Sequence, residues 1–312
     1  MTGKKLLVTG ATGTTGRNVT EILIKEGFAV RALVHKEDER STRLRALGAE
    51  VFIADLLSLD AVRQGLEGVA AAYFVYPIAP RLTEATAYFA QAAREVGVES
   101  IVNMSQISAQ RDSKSHAARD HWVAERLLDH SGIPVTHLRP TFFAQNYLHP
   151  LVLGSIAQRG VFSFPFGSGR HAPIAAEDQA RLIAAILAGP GPHQGKTYPL
   201  QGPREMDHFE IAAALSEALG RTVHYQPVDI DTWRERAKLP SFLVQHLCGI
   251  APGYTQGLFG GTDTVIERVT GKAPMTFEAC LQLNRDALSA AQDSHPAAAG
   301  LGALFSASAG TR

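Results

Sequence analysis

Three glycines follow the first apolar run of the chain at a spacing that could hold a phosphate group. Gly10, Gly13 and Gly16 follow the apolar run 6–8 and precede a segment with helical periodicity. Gly10 would permit a tight turn, Gly13 would let the backbone approach a pyrophosphate, and Gly16 would let the helix pack closely on its strand. Phosphate would then lie at a helix N-terminus. We therefore predict dinucleotide contacts from Gly10, Thr12, Gly13, Thr14, Thr15 and Gly16.

The surroundings of the glycines strengthen this prediction. The spacing Gly-x-x-Gly-x-x-Gly differs from the usual Gly-x-Gly-x-x-Gly fingerprint, and alone it also fits an ordinary strand-to-helix loop. However, apolar residues recur at helical spacing up to Gly27, which is placed as a C-terminal cap. The apolar run 28–34 follows at once and predicts the neighbouring parallel strand. Together these segments form a βαβ unit of the length that dinucleotide binding requires.

The residues at the end of the second strand indicate which dinucleotide would bind. Nineteen residues after the third glycine, His35 stands where a carboxylate would bind the ribose hydroxyls of NAD. His35 and Lys36, with Arg31 on the strand and Arg17 after the glycines, would instead attract a 2′-phosphate. We therefore expect NADP as the cofactor, with NADPH preferred over NADH. Alternatively, these are solvated charges near a loop that also carries three acidic residues.

Strands and helices alternate regularly through the first half of the chain. Further strands are predicted near 51–54, 71–75, 100–105 and 135–138, separated by helices near 59–66, 83–96 and 117–130. This alternation predicts an α/β fold with a doubly wound parallel sheet, the Rossmann fold. Residues at the carboxyl ends of such strands line the ligand crevice. Further cofactor contacts are therefore expected from Asp55, Leu56, Val75, Tyr76, Pro77, Ser105 and Pro140.

The regular alternation weakens after residue 140, which predicts a smaller mixed α/β C-terminal substrate domain. Helices are expected at 176–187, 207–219 with Asp207 as N-cap, near 265 and at 277–288, and a strand at 197–200. We divide the chain into a dinucleotide-binding domain at 1–150 and a substrate domain at 151–292 with elements that return to the Rossmann core. The small, weakly polar tail at 293–312 is expected to be disordered.

Composition excludes several classes of function. The 312 residues carry 30 Lys and Arg against 30 Asp and Glu, so the chain has no net positive charge that would attract nucleic acid. Cys248 and Cys280 lie far apart, so neither a disulfide framework nor a metal site is indicated. No signal peptide or membrane-span pattern is present, which favours a cytoplasmic protein without membrane contact. A small-molecule substrate and a monomer or homodimer are expected.

Several motifs together resemble the NmrA-like atypical short-chain dehydrogenase/reductases, and within them the bacterial NADPH-dependent quinone reductases. The motifs are Gly10-Ala11-Thr12-Gly13-x-x-Gly16, Asp55-Leu56, His121-x-x-x-Glu125, His130-Ser131-Gly132-Ile133-Pro134 and Leu138-Arg139-Pro140-Thr141-Phe142-Phe143-x-x-Asn146. The resemblance implies that the glycine turn holds pyrophosphate and that His35 and Lys36 bind the ribose phosphate. It further implies that Asp55 neighbours the adenine and that the loop 140–146, including Phe143, borders nicotinamide and substrate. The second half of the chain resembles the family only loosely.

The chain departs from ordinary short-chain dehydrogenases at the proton-transfer pair. In those enzymes a Tyr-x-x-x-Lys motif supplies a tyrosine whose pKa the lysine lowers. None of the seven tyrosines here has a lysine four residues later. In the helix where the motif belongs, Ala117 occupies the tyrosine position and His121 the lysine position. This argues against alcohol oxidation and sugar epimerisation by the standard route.

Hydride transfer to a conjugated acceptor such as a quinone needs no strong acid, because the product anion is stable. Positioning and a dry apolar pocket could supply most of the catalysis. We expect His121, Tyr76, Phe142 and Asn146 to serve the reaction, with the aromatic rings of Tyr76, Phe142 and Phe143 stacked on the acceptor. His121 would bind the cofactor or donate a proton. Core packing of the phenylalanines and a structural role for the histidine remain alternatives.

The absence of the Tyr-Lys pair also permits a different class of function. A regulator could bind NADP(H), change shape and dock on another protein without any turnover. The part of the chain after residue 140 is compact and carries no charged or low-complexity docking sequence, which argues against this alternative. Turnover of quinones in the presence of NADPH would distinguish the two.

Overall fold

The strand that precedes the glycine turn forms the centre of the fold. Leu6, Leu7 and Val8 are completely buried, as expected of a parallel strand covered on both faces. The computed structural model describes residues 3–286 and 288. Its strands are β1 (Lys5–Val8), β2 (Ala29–Val34), β3 (Glu50–Ile53), β4 (Val69–Phe74), β5 (Ser100–Met104), β6 (Val135–Pro140), β7 (Val161–Phe162), β8 (Thr197–Leu200) and β9 (His224–Tyr225). Its α-helices are α1 (Thr14–Lys25), α2 (Glu39–Ala46), α3 (Leu59–Leu66), α4 (Leu82–Glu95), α5 (His116–Asp129), α6 (Pro150–Arg159), α7 (Ala176–Ala188), α8 (His208–Leu219), α9 (Ile230–Arg236), α10 (Ser241–Thr255), α11 (Val265–Thr270) and α12 (Phe277–Leu283).

The main sheet contains seven parallel strands in the order β3-β2-β1-β4-β5-β6-β8. Leu7 of β1 lies opposite Arg31 of β2, and Val8 of β1 lies opposite Tyr73 of β4. The strand order therefore reverses between β1 and β4. Open α/β sheets bind ligands beyond the carboxyl ends of their strands at such a reversal. The predicted doubly wound Rossmann fold is confirmed, and its crevice begins after Val8.

Most predicted elements begin and end within two residues of the observed ones. Asp207 caps α8 as predicted, because its carboxylate accepts hydrogen bonds from the backbone N–H groups of Phe209 and Glu210. The helix predicted at 277–288 is shorter, since α12 ends at Leu283. The sequence analysis missed α2, α6, α9, α10 and the short pair β7-β9.

The second half of the chain both returns to the sheet and builds a core of its own. β8 extends the sheet beside β6, with Thr197 opposite His137, and α7 packs against α1. A separate, strongly aromatic core surrounds β7 and β9. The boundary at residue 150 stays a prediction, because Phe142 and Tyr147 already pack into this second core. The tail predicted at 293–312 lies outside the described residues.

The described part of the chain offers neither a membrane span nor a metal centre. Among these residues, no helix combines the length and apolarity that a bilayer crossing needs. No group of three His, Cys, Asp or Glu side chains converges there as a metal ligand set. Cys248 and Cys280 are free, buried thiols.

Candidate active site

The glycine turn connects β1 to α1 with a geometry that only glycine permits at two positions. Gly10 has a positive φ of 56°, and a Cβ added there would lie 2.8 Å from Cγ1 of Val75. A Cβ on Gly16 would collide with the Gly10 carbonyl and lie 3.0 Å from Cα of Ala11. The missing side chain at Gly16 therefore lets the first turn of α1 rest on the backbone of the glycine turn.

The start of α1 presents unpaired backbone donors to the crevice. Gly13 is the N-cap, its own N–H bonds the Gly10 carbonyl at 2.9 Å, and no side chain caps the helix. The first N–H groups of a helix have no partner within the helix, and the helix dipole favours an anion there. Thr14, Thr15 and Gly16 carry these groups, and all three line the crevice. This end of the crevice can therefore bind phosphate.

A cleft of about 400 Å³ runs from this helix N-terminus to side chains that the second half of the chain contributes. It collects most of the residues predicted from sequence, which come from the ends of four neighbouring strands and from α5. The predicted residues that line it are Gly10, Gly13, Thr14, Thr15, Gly16, Val75, Tyr76, Pro77, Ser105, His121, Pro140, Phe142, Phe143 and Asn146.

Five further predicted residues lie outside the cleft but at the same edge of the sheet. His35 and Lys36 are exposed directly after β2, and Asp55 and the half-buried Leu56 follow β3. Asp55 accepts a hydrogen bond from the backbone N–H of Leu57 at 2.9 Å. Thr12 of the glycine turn is half-buried and does not line the cleft. A role for these residues requires a ligand that extends from the cleft across the end of β2.

The structure corrects the expectation for Arg31. Its guanidinium bonds Oε1 of Glu50 at 2.7 and 2.9 Å and the carbonyl oxygens of Gly65 and Glu67 at 2.7 and 2.9 Å. Gly65 and Glu67 lie at the C-terminal end of α3, which runs back toward the amino ends of the strands. Arg31 therefore points away from the crevice, and its donors are used within the fold. It is not available to a 2′-phosphate.

His121 lies on α5 with only 5% of its surface exposed. Burial lowers the pKa of His121 to about 4, although the charge of Glu125 acts in the opposite direction. The imidazole is therefore neutral at neutral pH and can donate one hydrogen bond and accept another. Glu125 is itself fully buried and bonds Arg139 in a bidentate pair at 2.5 and 2.8 Å. That pair leaves the carboxylate no free role in the cleft.

Two of the three aromatic residues predicted to stack on an acceptor make contacts within the fold. Phe142 contacts Tyr147, Phe164 and Phe166 edge to face, with ring centroids 5.5 to 6.1 Å apart, so most of its ring packs in the core. Tyr76 is half-buried, and its hydroxyl donates to the carbonyl of Pro80 at 3.2 Å. Burial raises the pKa of Tyr76, which is opposite to the change that activates the tyrosine of ordinary short-chain dehydrogenases.

The short 3-10 helix Ala144–Leu148 carries Asn146 to the cleft and is fixed from two sides. The amide of Gln145 accepts from the backbone N–H of Ala176 at 3.0 Å and donates to Glu177 at 2.6 Å. The Tyr147 hydroxyl lies 3.1 Å from Nε2 of His171 and 3.0 Å from Nε2 of His208. This segment is therefore a rigid support for the cleft.

Comparison with known families decides where the chain belongs. Residues 2–279 match the NmrA-like family. The chain belongs to the NmrA-like family. The resemblance inferred from the sequence motifs is confirmed, including the relation to quinone reductases.

Two curated relatives and one solved structure illustrate the similarity of this NmrA-like chain to known proteins. The NAD(P)H azoreductase of Xenophilus azovorans is 32% identical over 280 residues, which cover 87% of this chain and 95% of the relative. The (4-alkanoyl-5-oxo-2,5-dihydrofuran-3-yl)methyl phosphate reductase of Streptomyces griseus is 30% identical over 277 residues, with coverages of 87% and 95%. The NADPH complex of the Escherichia coli NADPH-dependent quinone oxidoreductase QOR2 superposes with a TM-score of 0.80 at 26% identity, covering 89% of this chain and 99% of the other.

The second half of this NmrA-like chain supplies cleft residues that sequence reasoning missed. α10 contributes His246, Leu247 and Ile250, and the segment after it contributes Phe259. Apolar residues at 243, 247, 250 and 254 recur at helical spacing, so a signal for α10 was present in the sequence. His149, the N-cap of α6, also lines the cleft and was missed.

The side chains that line the cleft carry no formal charge. Within residues 3–286 and 288, its lining contains no Lys, Arg, Asp or Glu. Three histidines line it, and burial lowers the pKa of His121 and His149 to about 4 and that of His246 to about 3. The NmrA-like cleft is therefore electrically neutral near pH 7, apart from the positive end of the α1 dipole.

Proposed function

We propose that this chain is an NADPH-dependent reductase that transfers hydride to an uncharged, conjugated small molecule such as a quinone. The observation that carries the proposal is one continuous cleft. It joins a phosphate-binding helix N-terminus to apolar side chains of α10 without a charged residue in the described lining. The relatives named as azoreductase and quinone oxidoreductase support the reaction class.

The cofactor end fits a dinucleotide because its glycine turn is tight and the first N–H groups of α1 are unpaired. The absence of side chains at Gly10 and Gly16 allows this turn, and the N–H groups of Thr14 and Thr15 are positioned to bind pyrophosphate. We place the adenosine ribose at the end of β2, where His35 and Lys36 would bind a 2′-phosphate. This placement supports NADPH over NADH. Bound NADPH would supply the hydride.

The acceptor end fits a flat apolar molecule. Leu247, Ile250 and Phe259 line it with apolar side chains, and Phe142 adds an aromatic edge. The Streptomyces relative is named for a phosphorylated substrate. A phosphate in this half of the cleft would meet no described cationic side chain, and burial of an unpaired charge costs several kcal/mol. An uncharged acceptor is therefore favoured.

The residues of the chain act by positioning and by excluding water. Ala117 and His121 occupy the positions of the missing tyrosine and lysine, so α5 supplies no tyrosine to protonate the product. Asn146 and His121 border the reacting region and can hold the acceptor by hydrogen bonds. The acceptor anion would take its proton from water. Proximity in a dry cleft can supply several kcal/mol of the barrier reduction.

Turnover by the purified protein tests the proposal. The protein is incubated with NADPH and a panel of benzoquinones, naphthoquinones and neutral azo compounds, and the loss of reduced-nicotinamide absorbance is followed. We expect saturable oxidation of NADPH with at least one acceptor. Calorimetric binding of NADPH without any turnover would contradict the reductase and favour an NADP(H)-sensing regulator. Failure to bind either NADPH or NADH would contradict both.

A further inference from the structure

His246 lies in the cleft on an element that the sequence motifs do not include. α10 packs against α5, and this contact brings His246 to the same wall as His121. The side chain of His246 is buried, with 3% of its residue surface exposed. The hydrogen-bond capacity of a buried polar ring that lines a ligand cleft is used either by the fold or by a ligand.

The partner of Nδ1 assigns the tautomer of His246. Oγ of Ser115, the N-cap of α5, accepts from the backbone N–H of Ala118 at 3.1 Å and lies 2.8 Å from Nδ1 of His246. Ser115 is fully buried, and among the described residues its hydroxyl hydrogen has no acceptor within reach other than Nδ1. Ser115 therefore donates to Nδ1. In a neutral imidazole the proton then resides on Nε2.

Nε2 of His246 is the unused donor of this pair. In the part of the chain that the structure describes, Nδ1 has its partner in Ser115 and Nε2 has none. Burial, with a smaller contribution from the neighbouring His121, lowers the pKa of His246 to about 3, so the ring remains a neutral N–H donor at neutral pH. A fixed donor in an uncharged cleft is the arrangement that stabilises a developing oxyanion.

We propose that His246 is a catalytic residue whose Nε2–H donates a hydrogen bond to the acceptor oxygen that becomes anionic, and that Ser115 is its positioning residue. This inference rests on the proposed reductase function. A quinone that receives a hydride gains two electrons and one hydrogen and becomes the hydroquinone monoanion, while NADPH is oxidised to NADP⁺. The His246 N–H stabilises that anion, which then takes one proton from water to give the hydroquinone. His246 itself keeps its proton throughout.

Substitution of His246 tests this role with the full chain, NADPH and a series of neutral quinones. We expect His246→Leu to lower kcat by about 10²-fold, the effect of removing one oxyanion donor, with an unchanged Kd for NADPH. The loss should increase with the basicity of the hydroquinone monoanion, because a more basic oxygen depends more on the donor. His246→Gln retains an N–H donor and should restore part of kcat. Substitution of the exposed His224 by Leu is the matched control.

Ser115 gives a second, independent measurement. Ser115→Ala removes the group that fixes the tautomer and should lower kcat by a smaller factor, while Ser115→Thr should restore it. An unchanged kcat in His246→Leu would overturn the inference. So would a loss that is equal for all quinones and accompanied by weaker NADPH binding, because that pattern indicates a structural role. Turnover of azo compounds but of no quinone by the wild-type protein would overturn the inference alone, whereas turnover of no acceptor at all would overturn the proposed function and the inference together.

Discussion

Substitution of Gly16 by alanine separates the packing role of the glycine turn from its role in binding. A Cβ at residue 16 would lie 2.8 Å from the carbonyl carbon of Gly10 and closer still to its oxygen, and both are backbone atoms that cannot rotate away. Gly13 is different, since a Cβ there would meet only the Gly10 oxygen, at 3.1 Å. Gly16→Ala must therefore displace the turn or the start of α1, whereas Gly13→Ala requires a shift of a few tenths of an ångström.

The two variants should differ in both stability and affinity. Overpacking typically costs 1–3 kcal/mol, and the better helix propensity of alanine returns up to about 1 kcal/mol, so Gly16→Ala should lose roughly 1–2 kcal/mol of unfolding free energy. Displacing one N–H from a pyrophosphate costs about 1.5–3 kcal/mol, or roughly 10- to 100-fold in the Kd for NADPH. Gly13→Ala should keep nearly full stability but weaken NADPH through its projecting methyl group.

Urea unfolding gives the stability and titration calorimetry gives the Kd. Gly154→Ala is the matched control, because Gly154 lies inside α6 with no atom within 4 Å of the added Cβ. It should gain about 0.5–1 kcal/mol and leave NADPH binding unchanged. If Gly16→Ala binds NADPH as tightly as the wild type, the assignment of this turn to pyrophosphate is refuted.

Three further predictions follow from the structure. His35→Asp combined with Lys36→Ala should weaken NADPH by about 10- to 100-fold and NADH little, by calorimetry; equal losses would contradict the 2′-phosphate site. Tyr147→Phe leaves two buried imidazole nitrogens without their shared hydroxyl, so it should cost about 1–3 kcal/mol of unfolding free energy and raise the KM for the acceptor. An unchanged melting temperature would show that the hydroxyl does not hold the segment that carries Asn146. Below pH 6.5 the unfolded state binds more protons than the folded state, since the folded pKa of His121 is about 4. Stability should therefore fall from pH 6.5 toward pH 4, by up to roughly 3 kcal/mol for His121. His121→Gln should make the urea midpoints fall less steeply across this range, while the remaining slope reflects the other buried histidines, such as His149 and His246.

The cofactor half of the site could be predicted from sequence because its determinants are local. The turn, its glycines and the start of α1 lie within a dozen residues, and each glycine has a steric reason that a pattern can reveal. The strand ends follow from topology, since parallel strands place their carboxyl ends along one edge of the sheet. Val75, Ser105 and Pro140 were therefore placed at this edge without any knowledge of their contacts, and all three line the cleft.

Arg31 shows where such reasoning fails. A residue in the middle of a strand has two possible faces and a long side chain, and the sequence does not state which partners lie within reach. Glu50 is the residue opposite Arg31 on the next strand, and the end of α3 adds two carbonyl acceptors. These partners are fixed by strand register and by the return of the helix, both of which are tertiary features.

The acceptor half depends on contacts between residues that are far apart in the chain, so no local pattern could reveal it. Ser115 and His246 are separated by 131 positions, and their hydrogen bond exists only because α10 packs on α5. The spacing of apolar residues in α10 can predict a helix but not which wall of the cleft that helix forms. The same packing removes water from His121 and His246, and this loss of solvation keeps both rings neutral. The electrical neutrality of the cleft, which decides what kind of acceptor it can hold, is thus a consequence of tertiary burial rather than of residue types alone.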